Sequence, residues 1–293
     1  MKHTKNNILL LLAAFIWGSA FVAQSVGMDY VGPFTFTCVR SIIGALVLLP
    51  VIACMDGMNG KNWKVGWQNK NLWIGGICCG VILAVASSLQ QIGIQYTSVG
   101  KAGFITALYV IFVPIVRVFF GKKPSKLIWG CVALAIVGLY LLCINESVSL
   151  NLGDLLVFAC TLIFTAHILV IDHFSPLVDG VRMSCIQFAT AGILCLVPTV
   201  LIEQPAISAI TGAWLPILYA GVLSCGVAYT LQIVGQKNAD PTMASLLLSL
   251  ESVFSVLSGW LILGEKLSVK ESLGCVLMFA AIVLAQLNPK KQS

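Results

Sequence analysis

Ten times along this chain a run of roughly twenty residues that is almost wholly apolar is closed off by Gly, Pro, Asn or charge: Ile8–Val26, Pro33–Cys54, Leu72–Gln95, Ser98–Phe120, Leu127–Ile144, Leu152–Ile171, Met183–Ile202, Ala213–Val234, Pro241–Leu263 and Ser268–Leu287. About twenty residues is the length at which one helix spans a bilayer's hydrocarbon core. Backbone polar groups in lipid must be satisfied within the segment, which leaves helices as the solution for runs of this length. Only 10% of the 293 residues are charged and 59% are hydrophobic. A soluble domain carries about a quarter charged residues, so this chain lacks the polar surface to be one. The expected fold is an all-α membrane protein of ten transmembrane helices.

Lys and Arg set its orientation, because they accumulate in cytoplasmic loops. With the N-terminus inside, thirteen of the seventeen fall on the cytoplasmic side. Lys101, Lys266 and Lys270 fall outside, and Arg40 lies within a span. Both termini are therefore expected in the cytoplasm. This loop distribution accounts for the net charge of +6 without invoking nucleic acid. The first run exceeds the apolar core of a signal peptide and reads as a retained helix. The loop Met55–Asn71, with Trp63, Trp67, Lys61, Lys64 and Lys70, reads as lying against the membrane interface.

The chain repeats itself. Arg40–Val51 (RSIIGALVLLPV) and Phe188–Val200 (FATAGILCLVPTV) carry Gly44/Pro50 and Gly192/Pro198 at equal spacing, and Gly130-Cys131 matches Gly274-Cys275. Two halves, 1–146 and 147–293, then hold five helices each. Five is odd, so the second copy crosses the membrane inverted. Inverted repeats are the signature of secondary transporters, whose substrate site lies in a central cavity between the halves near the midplane. Stripes of small residues, Gly76, Gly80, Ala84 and Ser88 in the third run and Ala220, Ser224 and Ala228 in the eighth, read as close helix packing.

Phe15–Phe21 (FIWGSAF) resembles the first-helix signature of the drug/metabolite transporter superfamily, EamA type. Pro33 followed by Arg40 is similar to that family's second-helix pattern, and Leu250–Leu267 (LESVFSVLSGWLILGEKL) to its ninth-helix signature. The chain departs at Ser252, where members often have a proline that bends the ninth helix. The resemblance covers both halves. It implies a ten-helix carrier of small metabolites in a prokaryotic inner membrane.

Site residues follow from polar groups at bilayer depth. Glu251 has about ten apolar residues on either side, and an ionised carboxylate there costs several kcal/mol unless paired or facing water. Arg40 is at comparable depth and its planar fork suits a carboxylate or phosphate. Two readings stand: an Arg40–Glu251 bridge that ties helices, or a pair of solute anchors. Trp17 lies away from the interfacial belts and is a candidate wall of the cavity. Gln91, Tyr109 and Tyr229 supply donors and acceptors suited to a zwitterionic or polyhydroxyl solute, with helix–helix hydrogen bonding as the alternative. His167 is a candidate proton relay or a hydrogen-bonded core residue. Lys101 and Asp154, near span ends, are expected to snorkel to water.

The leading reading is a secondary transporter of a small organic metabolite, in the export direction, working by alternating access and coupled to protons through Glu251. An antiporter of phosphorylated sugars or nucleotides is the alternative; it would want several basic residues in the cavity. A membrane-embedded enzyme ranks third. The sequence has no HExxH or Walker pattern and no Cys/His cluster at metal-ligand spacing, so no cofactor or metal is expected. The partners are the solute, the lipid bilayer and protons.

Overall fold

A computed structural model describes residues 2–60, 62–97, 99–122, 124–143, 151–237, 239–263 and 268–286. These residues form ten long helical elements: α1 (Lys2–Gly27), α2 (Pro33–Met58), α3 (Lys70–Ile94), α4 (Val99–Phe119), α5 (Lys126–Cys143), α6 (Leu152–Phe174), α7 (Gly180–Glu203), α8 (Trp214–Gln236), α9 (Pro241–Ile262) and α10 (Val269–Gln286). Eight are long and apolar enough to cross a membrane. In α5 and α10 the described apolar stretches, Lys126–Leu141 and Ser272–Ala285, are shorter. No strand occurs among the described residues.

Several helices begin earlier than hydropathy indicates, because their first turns carry polar caps. Asp179 accepts from Arg182 N at 2.9 Å, so α7 starts at Gly180 and not at Met183. Asn69 accepts from Asn71 N at 2.9 Å ahead of α3. Such side chains satisfy the orphan N–H groups of the first turn.

The helices pack across the chain's midpoint. α3 lies on α6 and α7, α8 on α1 and α2, α4 on α6, and α9 on α1, while α2–α7, α4–α9 and α5–α10 pair directly. Each of these pairings recurs when each helix is advanced by five. Glycines let backbones meet: a Cβ at Gly80 would stand 2.7 Å from Gln187 O, and one at Gly18 would stand 2.7 Å from both Glu251 O and Ser255 N.

Ion pairs clamp the helix ends. Asp56 at the end of α2 binds Arg182 at the start of α7. At the opposite end, Glu203 accepts from Phe34 N at 2.8 Å and Thr35 N at 2.7 Å, capping α2 from the end of α7. Lys101 and Asp154 do not snorkel. They bond each other at 2.7 Å, and Asp154 completes a capping box with Asn151 at the start of α6. Two opposite charges at neighbouring helix starts gain more from each other than from reaching separately for water.

Candidate functional site

α4 and α9 are both broken at mid-length, and the breaks aim side chains into the bundle. Leu108 (φ −62°, ψ −10°) and Ser249 (φ −61°, ψ −13°) share a backbone conformation short of helical ψ. Around them hydrogen bonds tighten to the i−3 carbonyl: Ile111 N to Leu108 O at 2.9 Å, and Ser252 N to Ser249 O at 3.2 Å. In α9 no proline does this. Ser245, Ser249 and Ser252 each donate a hydroxyl to the carbonyl three residues back, at 2.7–2.8 Å. Side-chain bonds of this kind compete with the regular helical pattern and bend helices. Ser252 therefore serves the bend without the family's proline. Tyr109 and Glu251 are the first residues beyond the breaks in their helices.

Both line a cavity between the first and second groups of five helices. Its wall takes Trp17, Phe21 and Gln24 from α1, Arg40 from α2, Gln90 from α3, and Thr106 and Tyr109 from α4. The remainder comes from Phe164, His167 and Ile168 of α6, Ser224, Tyr229 and Gln232 of α8, and Leu248 and Glu251 of α9. Of the seven residues singled out in the sequence, Glu251, Arg40, Trp17, Tyr109, Tyr229 and His167 meet here.

Gln91 does not line the cavity. It is fully buried and donates to the Gln24 carbonyl at 3.0 Å, so it braces α1 against α3. Neighbouring Gln90, Gln24 and Thr106 take its place on the wall. Adjacent residues on a helix point about 100° apart, and hydropathy alone does not say which of Gln90 and Gln91 faces inward. Ser224, read as a packing residue, also reaches the cavity from a stretch of α8 wound as a π-helix over Tyr219–Ala228.

Arg40 and Glu251 are each 4% exposed, yet no ion pair joins them. Arg40 Nη1 donates to Gln24 Oε1 at 3.3 Å, and its guanidinium carbon lies 5.7 Å from the Phe36 ring centre. Arg40 Nε, Trp17 Nε1 and Gln232 Oε1 have no hydrogen-bond partner among the described residues, and the Tyr109 hydroxyl neighbours the Glu251 carboxylate without a regular hydrogen bond to its Oε1. A tie between helices would leave these groups satisfied, because unmatched buried polar atoms are costly. One wall is aromatic: Tyr229 is 4.5 Å from Trp17, 5.3 Å from Phe188 and 5.9 Å from His167 between ring centres. His167 Nε2 is 3.2 Å from Gln187 Oε1.

The chain matches the model of the EamA-like transporter family twice, over residues 4–144 and 151–287. It belongs to that family. An uncharacterized transporter of Archaeoglobus fulgidus is 30% identical over 289 residues, covering 98% of this chain and 88% of the relative. The threonine/homoserine exporter RhtA of Escherichia coli (strain K12) is 26% identical over 296 residues, covering 98% of this chain and 92% of the exporter. A solved crystal structure at 19% identity shares the fold, with a TM-score of 0.78 over 97% of each chain. The EamA-family chain is a multi-pass membrane transporter and not an enzyme.

Proposed function

We propose that this transporter is a secondary carrier that moves a small dipolar organic solute across the inner membrane by alternating access, in the export direction. One observation carries this reading. A buried guanidinium, Arg40, and a buried carboxyl group, Glu251, face the same cavity, are not ion-paired, and keep hydrogen-bonding atoms unmatched. A solute bearing both charges matches both, with its anionic group on the Arg40 fork and its cationic group at Glu251 beside the Trp17–Tyr229 wall. Cations are attracted to aromatic faces. The name of the relative RhtA supports this, since threonine and homoserine carry both charges. A phosphorylated solute fits less well, because Arg40 is the one Lys or Arg on the described wall.

The frame for alternating access is ten spans in two inverted five-helix repeats, 1–146 and 147–293, with both termini in the cytoplasm. The double family match and the five-helix recurrence of packing support it. Glu251 is also the coupling group. Its carboxylate sits at the break of α9, where a change in cavity hydration alters its hold on a proton between inward and outward states.

Counterflow in proteoliposomes tests the solute class. Threonine, its amine lacking the carboxylate and its hydroxy acid lacking the amine are compared as competitors for one labelled amino acid. The zwitterion should compete at least tenfold better than either half. Equal competition by the amine alone would refute the dipolar reading.

A further inference from the structure

The breaks in α4 and α9 divide each helix into two halves, and the halves pack by depth. The half Tyr109–Phe119 lies on Pro241–Leu248, and Val99–Ala107 lies on Glu251–Leu263. In the second contact a Cβ at Gly103 would meet Ser255 at 3.4 Å. The cavity residues Tyr109, Leu248 and Glu251 cluster at the breaks, so each pair of half-helices covers the cavity from one end of the bundle.

At the far end of the first pair sits a polar cluster with no part in the cavity. Arg117, in the last turn of α4, bonds the carboxylate of Asp240 and the hydroxyl of Thr242, the latter at 3.1 Å. Asp240 divides its oxygens. Oδ2 takes Arg117, while Oδ1 caps α9 by accepting from Thr242 N at 2.9 Å and Met243 N at 3.2 Å. The ion-paired side chains are 17% and 15% exposed. That is sheltered enough for the pair to outweigh an ordinary surface bridge, yet close enough to water for both charges to be rehydrated if they part. A bond holding two half-helices at one end, with a backbone break at the other, is the geometry of a hinged leaf.

We propose that Arg117, Asp240 and Thr242 form a latch on the half-helices Tyr109–Phe119 and Pro241–Leu248. Parting of this latch, with bending at Leu108 and Ser249–Leu250, opens the cavity toward the end of the bundle that carries the α4–α5 turn. Neither the latch nor its direction of opening follows from the transport reading.

Thiol accessibility tests it without any substrate. In a cysteine-free background, Leu248→Cys reports on the cavity through its rate of reaction with a membrane-impermeant maleimide, applied from either side of vesicles. Arg117→Gln should raise that rate about fivefold or more from the α4–α5 side and leave the opposite side unchanged. Asp240→Asn should do the same, since asparagine keeps the helix cap and removes only the charge. The double variant should gain no more than either single one. Lys101→Gln, at the other end of α4, should not raise reaction from the α4–α5 side. Unchanged rates in both single variants, or equal rises from both sides, would overturn the latch. As a second measurement, cysteines at positions 117 and 240 joined by a short thiol crosslinker should suppress labelling of position 248 from that side, with recovery on cleavage. If crosslinking leaves the labelling rate unchanged, the latch is refuted, whatever the carrier transports.

Discussion

Gly18→Ala adds one methyl group where α1 crosses α9 beside the site. The new Cβ would lie 2.7 Å from both Glu251 O and Ser255 N, and closer still to Phe254 Cβ, whereas ordinary contact begins at 3.4 Å. The obstacles include two backbone atoms, which cannot rotate away as a flexible side chain would. The helices must therefore part by at least about 0.7 Å at the level of Glu251, in a bundle packed to near-crystalline density. Overpacking of this kind costs about 1–3 kcal/mol. The same substitution at Gly130 of α5, where a Cβ meets nothing within 4 Å, is the internal comparison. There alanine gains from its better helix propensity, about 1 kcal/mol in a helix interior. Thermal unfolding of the detergent-solubilised protein should show Gly18→Ala melting several degrees lower and Gly130→Ala level with the parent or slightly higher. Transport should fall in Gly18→Ala alone, because the displaced residues carry Glu251. Parent-like melting and transport in Gly18→Ala would refute the claim that close backbone approach positions this carboxylate.

Three further outcomes are expected. Arg40→Lys should insert and fold but lose about tenfold or more in transport efficiency, roughly 1.4 kcal/mol, because an ammonium does not reproduce the two-donor fork; undiminished transport in proteoliposomes would remove Arg40 from the site. Glu251→Gln keeps the size of the side chain without the charge, so it should abolish accumulation driven by a pH gradient and also weaken solute exchange down its gradient, because the solute's cationic group loses its charged partner. Accumulation like the parent's would assign coupling to another group. In a cysteine-free background, cysteine at position 62 should react with an impermeant reagent only from the cytoplasm and at position 206 only from outside, and a reversed pair would sink the proposed topology.

Much of this protein was legible in one dimension because the bilayer imposes a simple rule. A segment at bilayer depth must be apolar and helical, so each polar residue there stands out. That is why Glu251, Arg40, Trp17, Tyr109, Tyr229 and His167, which share the cavity wall, stand out in the sequence. Gly18, within FIWGSAF, was legible as part of a motif, while the contact that needs it, the backbone of α9 at Glu251, was not. Tertiary structure decided what depends on azimuth and partners. Gln90 faces the cavity and Gln91 braces Gln24, although the two are adjacent and chemically identical. Arg40 turns to Gln24 and Phe36 and away from an ion pair with Glu251, which depth alone allowed. Lys101 turns from water to Asp154. The bend of α9 goes with three buried serines bonding back to carbonyls three residues earlier, a competition with the regular helix that hydropathy does not record. Hydropathy records how far a residue lies along the membrane normal; the direction in which it points is set by helices distant in sequence, and it is that direction which makes a site.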